Sequence, residues 1–303
     1  MRRSLEELWL RFIRSYTYNT PIDKGKYRLF LTALKFCKFD HDSLAATARD
    51  GRRFVANPAT GMYQQLYFLG EYEKAISKIA SHLINPGDTC IDVGANFGWY
   101  ATLMAQLCGR NGKVHAFEPV PKTFRELEKN VSLSEFKSSI AIKNNALGDR
   151  HENISIRVPR GEPSGHASIA SKRSGNDESF NCQMLTLDDY LTDNSIGNVN
   201  FVKVDIEGSE MMFLNGASRL FTQAVPPVIL MEMALEQSKH FGYLPNDLVK
   251  FIHSKGDYTF FAVDEQRGLL TQIYGFADNE IGANVFCIPS GVSIDPIREM
   301  IEN

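Results

Sequence analysis

Apolar residues recur along this chain with two different periods, and the switches between them predict its elements. Leu5, Leu8, Trp9, Phe12, Ile13 and Tyr16 fall at i, i+3, i+4 spacing, which predicts an amphipathic helix at the start. A second helix is expected over 27–36, and Asn57-Pro58-Ala59-Thr60-Gly61 reads as a turn. From residue 71, the stripe Tyr72, Ala75, Ile76, Ile79, Ala80 and Leu83 predicts a helix stopped by Asn85-Pro86-Gly87-Asp88. Short apolar runs then alternate with helical stretches. Strands are expected over 90–93, 114–117, 140–143, 201–205 and 228–233. Helices are expected over 98–108, from Pro121, over 209–220 and up to Gly256. Two late strands, 258–263 and 284–288, have no long helix between them and predict an antiparallel hairpin at a sheet edge.

This alternation implies an α/β fold, a mostly parallel sheet with helices on both faces. The rhythm breaks between the third and fourth strands. There, 152–158 and 182–187 look like an extra strand pair around a Ser- and Gly-rich stretch, 159–181, which is either a lid or a plain excursion. The organisation expected is a helical cap over 1–70, then one α/β domain over 71–303 with a loop and hairpin inserted at 151–187.

Composition changes this picture little. The chain has 303 residues, 43% of them hydrophobic and 23% charged, as in ordinary folded domains. A net charge of −3 predicts no general attraction to nucleic acid. The charge is uneven, however. Residues 1–53 hold 12 Lys and Arg against 6 Asp and Glu, leaving 21 against 30 in the rest. The first helix carries Arg2, Arg3, Arg11 and Arg14. It reads either as a helix packed on the main domain or as one lying on an anionic membrane surface. None of the five cysteines forms a C-x-x-C pair, and Cys90, Cys108 and Cys287 sit in apolar runs as small buried side chains. With no signal-peptide pattern and no 18-residue apolar window, a cytoplasmic protein is expected.

The candidate chemistry lies in 88–109, where the first strand passes through Gly94, Asn96 and Gly98 into a helix. A pyrophosphate-binding turn needs G-x-G-x-x-G. Here Asn96 replaces the middle glycine and Gly98 comes one position early, so a nicotinamide dinucleotide fits poorly. S-adenosyl-L-methionine carries no phosphate but presents a sulfonium and an ammonium. Asp92, two residues before Gly94, suits the ammonium. Glu118, ending the second strand, suits the ribose hydroxyls, a role common to nucleoside cofactors. The cofactor set read from these strand ends includes Ala95 in the turn, Pro119 after Glu118, Asp205 at the end of the fourth strand and Tyr100 at the helix start, which lines the methyl donor or packs.

IDVGANFGWYA (91–101), VHAFEPVP (114–121), NALGD (145–149), TLDDYL (186–191) and FVKVDIEGSEMMFLNGA (201–217), in this order, resemble the FkbM-type S-adenosylmethionine-dependent methyltransferases. Glu71-Tyr72-Glu73 and Asn284 also look like the family. The resemblance covers about 62–290. It implies a class I methyltransferase fold, Rossmann-like with a seven-stranded sheet, and usually O-methylation of a hydroxyl on a sugar or natural product. By resemblance, Asp92, Gly94, Asn96, Gly98 and Glu118 hold the cofactor, with Asn145 and Ala146 beside its adenine. The chain departs from the family near Ser134 and at Met233 after Glu232.

For the reaction itself, the fourth strand delivers Lys203, Asp205 and Glu207 to the carboxyl edge of the sheet, and Glu232 ends its neighbour. These carboxylates suit a general base and substrate clamp. They also suit Mg²⁺, or structural roles in which Asp205 pairs with Lys203 and Glu207 caps the next helix. The reading taken names no metal. His166, in the polar loop, is a further candidate base. The partner expected is a small-molecule or glycan acceptor. The rival readings are a nicotinamide oxidoreductase and a non-catalytic or membrane-surface-associated protein retaining the fold.

Overall fold

A computed structural model describes residues 2–20, 25–36, 44–57, 61–158 and 178–302. The chain divides into two compact units, Met1–Tyr72 and Glu73–Asn303.

The first unit holds helices α1 (Arg2–Asn19), α2 (Lys26–Phe36) and α3 (Gly61–Leu69) with a small antiparallel pair, β1 (Leu44–Thr47) and β2 (Arg53–Ala56). Ile13, Phe30 and Phe68 form its small apolar centre. The strand pair was hidden from the sequence because four-residue strands are too short to show a period. Part of the expected turn, 58–60, lies outside the described residues.

The second unit opens with α4 (Lys74–Leu83) and proceeds through β3 (Thr89–Val93), α5 (Trp99–Cys108), β4 (Lys113–Phe117), α6 (Pro121–Leu133) and β5 (Ile140–Lys143). An insertion follows, made of β6 (Ala146–Leu147), β7 (Glu152–Val158) and β8 (Glu178–Leu185), and it forms a separate three-stranded sheet ordered β6-β8-β7. The main fold resumes with α7 (Leu187–Asp193), β9 (Phe201–Val204), α8 (Glu210–Asn215), α9 (Ser218–Phe221), β10 (Val228–Ala234), α10 (Leu235–His240) and α11 (Pro245–Lys255). It closes with β11 (Tyr258–Asp264), β12 (Leu269–Ile273) and β13 (Gly282–Pro289).

The main sheet runs β12-β11-β13-β10-β9-β3-β4-β5. The block from β5 to β10 is parallel, and β13 lies antiparallel between β10 and β11. This is the mostly parallel, mixed α/β sheet that the family resemblance implied. It has eight strands rather than the expected seven. The added edge strand β12 pairs antiparallel with β11, and its half-exposed sequence LLTQI lacks the apolar run that marks the others. The late antiparallel pairing is present, but β13 is inserted between β10 and β11 rather than lying at the edge.

Ile91, Val93, Val202, Val204, Ile229 and Met231 belong to one continuous core with residues of α7, α8 and α11. The helix expected over 209–220 is broken at Gly216-Ala217, and two contacts explain the break. A Cβ on Gly216 would lie 1.9 Å from the carbonyl oxygen of Gly148, so the insertion's first turn is packed directly on this backbone. The Asp188 carboxylate then caps a new helix by accepting from the Ser218 and Arg219 N–H groups, each at 2.9 Å. Thr186 in turn caps α7 by accepting from the Asp189 N–H. Replacing Gly216 by alanine forces backbone apart at this joint. We expect Gly216→Ala to lower unfolding free energy by about 1–3 kcal/mol, read as a lower denaturant midpoint at unchanged slope.

Candidate active site

The strand order reverses between β3 and β9. From β3 the chain crosses outward to β4 and β5, then returns to β9 and runs the other way to β10. In an open parallel sheet such a reversal leaves a crevice at the carboxyl ends of the strands, which the connecting loops cannot fill.

The turn after β3 is pinned over that crevice by hydrogen bonds. The N–H groups of Gly94 and Ala95 both donate to the Phe117 carbonyl, at 3.0 and 2.9 Å. Asn96 takes a left-handed backbone (φ 49°), and its N–H donates to Glu118 Oε2 at 2.9 Å. Its side-chain oxygen accepts from the Phe97 N–H, while buried Asn130 donates to the Phe97 carbonyl at 2.7 Å. Gly94 has φ 82°, and a Cβ there would lie 2.0 Å from the Asp205 carbonyl oxygen. Only glycine fits where the turn meets the end of β9.

One face of the sheet gathers charge at this edge. Asp92 and Lys203 are directly opposite each other across β3 and β9. The two-residue period places Asp205 on the same face as Lys203. Glu232 shares the face of Leu230, which is opposite Lys203, and Asn284 is opposite Glu232 on β13. The sequence therefore brings Asp92, Lys203, Asp205 and Glu232 to one polar surface.

Asp92 is fully buried, and neither carboxylate oxygen has a hydrogen-bond partner of ordinary geometry. Burial pushes its pKa up to about 6, although the nearby Lys203 ammonium and Ala101 amide favour the charged form. Lys203 is 5% exposed, and its Nζ lies 2.8 Å from Asp205 Oδ2 and 5.0 Å from the centre of the Tyr100 ring. Burial alone would lower its pKa, but Asp205, Asp92 and Glu73 outweigh that and hold the ammonium charged. Tyr100 is buried and donates to Glu73 Oε2 at 2.6 Å. Glu73 itself has a left-handed backbone (φ 43°), so the helix begins one residue later, at Lys74. Its first amides are capped from elsewhere, Ala75 and Ile76 donating to the Glu265 carboxylate.

Glu118 is buried, each oxygen accepting one backbone N–H, from Asn96 and from Val120. A carboxylate has about four acceptor sites, so further donors can still be received. Burial raises its pKa to about 7 against those two amides. Pro119 follows it, and Asn144 Nδ2 donates to the carbonyls of both Glu118 and Pro119. Asn145 donates instead to the Gln183 carbonyl, and Ala146 is buried in β6.

Glu207 has a left-handed backbone (φ 52°), and burial with nearby Asp205 raises its pKa to about 7. Burial and then Asp205 and Glu207 push Glu232 well above the carboxylate range. The residue that ties down the turn after β9 is Glu210, not Glu207. Its Oε1 accepts from the Ile206 and Gly208 N–H groups, and its Oε2 from the Tyr243 hydroxyl. Glu210, Glu73 and Tyr243 were missed from the sequence. Glu210 had a signal, an acidic residue three after Glu207 at a helix start; Tyr243, from a distant helix junction, had none. His166 lies outside the described residues. Among the described residues, no group of three or more His, Cys, Asp and Glu side chains is arranged to hold a metal ion.

Comparison with known proteins gives a consistent set of relatives. Residues 92–260 match the family described as the methyltransferase FkbM domain. The hexuronic acid methyltransferase AglP of Haloferax volcanii is 28% identical over 165 residues, 54% of this chain and 61% of that protein. The match thus spans less than two thirds of this relative. Among solved structures, methyltransferase FkbM from Methylobacillus flagellatus is similar with a TM-score of 0.42 and 16% identity, covering 74% of this chain and 52% of that one. Fibrillarin from Aeropyrum pernix, with S-adenosyl-L-methionine natively bound, has a TM-score of 0.40 and 12% identity, covering 82% and 94%.

The raised carboxyls set the pH dependence of stability. Each binds its proton more tightly in the folded chain than in the unfolded one, so folding stability falls as pH rises from the ordinary carboxylate range through the raised values. The unfolding midpoint of the ligand-free protein is expected to drop between about pH 5 and about pH 8. Glu232→Gln removes one of these titrations and should raise the midpoint at the alkaline end while leaving the acid end nearly unchanged. Thermal unfolding at both pH values checks this; an equal shift at both ends counts against a crowded, protonated Glu232.

Proposed function

Because the chain belongs to the FkbM methyltransferase family, we propose that it carries a methyl group from S-adenosyl-L-methionine to a hydroxyl of a sugar or glycan. Family membership supports methyl transfer with S-adenosyl-L-methionine as the methyl donor. The acceptor and the residue roles are our reading.

The observation that carries it is Asp92, a buried carboxylate with no hydrogen-bond partner at the switch point of the sheet. Lys203 is shared between Asp92 and Asp205, and burial still holds the Asp92 pKa up at about 6, so a cationic ligand beside Asp92 would favour its charged form. The residues present therefore fit the cofactor. Asp92 would receive its ammonium and Glu118 its ribose hydroxyls, through acceptor sites the two backbone amides leave open. Gly94, Ala95, Asn96 and Gly98 would let the backbone approach it, with Tyr100, Pro119, Asn145 and Ala146 around them. When bound, this cofactor supplies an electrophilic methyl group on a positively charged sulfur.

An acceptor hydroxyl must be aligned and must lose its proton. Glu207, with a pKa of about 7, is poised to take that proton near neutral pH. Glu232 keeps its own proton over that range and can donate a hydrogen bond to a neighbouring hydroxyl. Asp205 is held by Lys203 and fixes the edge on which both act. AglP bears the name of a hexuronic acid methyltransferase. Among the described residues at this edge, carboxylates outnumber the Lys203 ammonium, which supports a neutral hydroxyl as the acceptor.

Calorimetry with S-adenosylhomocysteine tests the cofactor half. The wild type is expected to bind it, and Asp92→Asn to weaken binding at least about tenfold; no heat from the wild type sinks the reading. For the acceptor half, transfer to a neutral sugar hydroxyl should rise with pH to a plateau above about 7, following Glu207. Glu207→Gln should lower kcat by roughly 10²–10⁴-fold with cofactor affinity intact. A flat profile or an unaffected kcat removes Glu207 as the base.

A further inference from the structure

Helix α1 is packed by one side only. Ile13 and Thr17 are fully buried, and Thr17 Oγ1 donates to the Ile13 carbonyl at 2.9 Å and across to the Phe68 carbonyl of α3. The Arg14 guanidinium lies 4.4 Å from the centre of the Tyr67 ring, covering α3 from the same helix. Another line of α1, at i, i+3 and i+7, carries Trp9, Phe12 and Tyr16, which are 47%, 62% and 47% exposed. The Trp9 and Phe12 rings stack on each other, 6.0 Å apart and 17° from parallel. Three aromatic side chains on one helix line are thus open to solvent while Ile13 and Thr17 are buried.

The sequence puts these aromatics on one apolar arc with Ile13 and leaves open whether it packs on protein or lies on a membrane surface. The structure buries Ile13 and Thr17 at one margin of that arc and leaves Trp9, Phe12 and Tyr16 exposed at the other.

We propose that the Trp9–Phe12–Tyr16 face docks on an anionic phospholipid surface, with α1 lying in the plane of the headgroups. Charge selects this occupant. Residues 1–72 hold 12 Lys and Arg against 7 Asp and Glu, whereas 73–303 hold 21 against 29. The surplus is concentrated in the unit that bears the aromatic face, and α1 itself contributes Arg2, Arg3, Arg11 and Arg14. Trp and Tyr prefer the headgroup level, where an apolar ring and a polar tip are both accommodated. A basic surplus in the unit that bears such a face is attracted by anionic lipid. No described helix is long and apolar enough to cross a membrane, so α1 lies on the surface rather than spanning it.

The test uses the full chain and its own chromophore. There are two tryptophans, and Trp99 is buried in α5. Vesicles of phosphatidylglycerol and phosphatidylcholine should shift the emission of Trp9 to the blue, a change missing in Trp9→Phe. Co-sedimentation should be at least about tenfold stronger than with phosphatidylcholine alone and should collapse at high salt. Trp9→Ser with Phe12→Ser should lower it at least about tenfold, and Arg2→Gln with Arg3→Gln a few-fold. Both pairs should leave the thermal midpoint unchanged, since the aromatics are exposed. Equal binding to neutral vesicles overturns the proposal. So does absence of binding, or a concentration-dependent dimer that the double serine variant abolishes without any vesicle partition.

Discussion

The site depends on one buried ammonium. Lys203 sits in the middle of a parallel sheet, nearly sealed from water, where an unpaired charge would be intolerable. It is tolerated because Asp92 faces it from β3, Asp205 takes its Nζ from two residues along, and the Tyr100 ring covers it. The dependence runs in both directions. Without Lys203, two carboxylates would share a low-dielectric pocket with no counter-charge. Asp205 then fixes the turn, since its carbonyl occupies the space that any side chain on Gly94 would need. Through Tyr100 the same cluster reaches Glu73, which holds a left-handed backbone costing about 1–2 kcal/mol. Three acidic or amide residues with such a backbone, Glu73, Asn96 and Glu207, lie around this edge. Strain of this kind persists only where surrounding contacts over-determine it, which is common at functional sites.

The motifs that carry the family resemblance do two different jobs. IDVGANFGWYA, VHAFEPVP and the start of FVKVDIEGSE meet at the switch point, where Asp92, Glu118 and Lys203 are buried together. NALGD, TLDDYL and the end of FLNGA meet elsewhere. There Gly148 abuts Gly216, Asp188 caps α9 and Thr186 caps α7. This second meeting is a structural joint that clamps the inserted sheet to the core. A residue in a shared motif is therefore no guide to catalysis until its neighbours are known. Asp188 and Asp205 look alike in sequence, and one satisfies a helix start while the other faces a buried cation.

How much was legible follows from this division. Buried parallel strands announce themselves as apolar runs, so β3, β4, β5, β9 and β10 were found nearly to the residue. Asp92, Gly94 and Glu118 were legible because a charge or a glycine at a strand end breaks such a run. What the sequence hid was relational. The edge strand β12 is half-exposed and has no apolar run. The break between α8 and α9 is imposed by backbone from another element. Glu210 was read past because Glu207 stood nearer the strand end, yet the hydrogen bonds assign the capping role to Glu210. For Trp9, Phe12 and Tyr16 the sequence left packed and surface-lying readings open, because helical period reports that a face is apolar, not what covers it.

The balance of charge at the strand ends bears on what the site accepts. Among the described residues, the Lys203 ammonium faces Asp92, Asp205, Glu207 and Glu232, and the crowded carboxyls hold protons on Glu232 and, below about pH 7, on Glu207. A cationic cofactor favours the deprotonated state of Asp92 and offsets the field from one side. With that charge in place, Glu207 would lose its proton more readily, and its proposed capacity as a base would grow as the cofactor site fills. Order of binding and proton affinity are linked through the same few carboxylates. On the proposed roles, a neutral hydroxyl entering last would meet a base prepared by the cofactor, whereas an anionic acceptor would have to enter against Glu207 and Asp205. The acidic edge would then act as a filter on the acceptor as well as a seat for the donor.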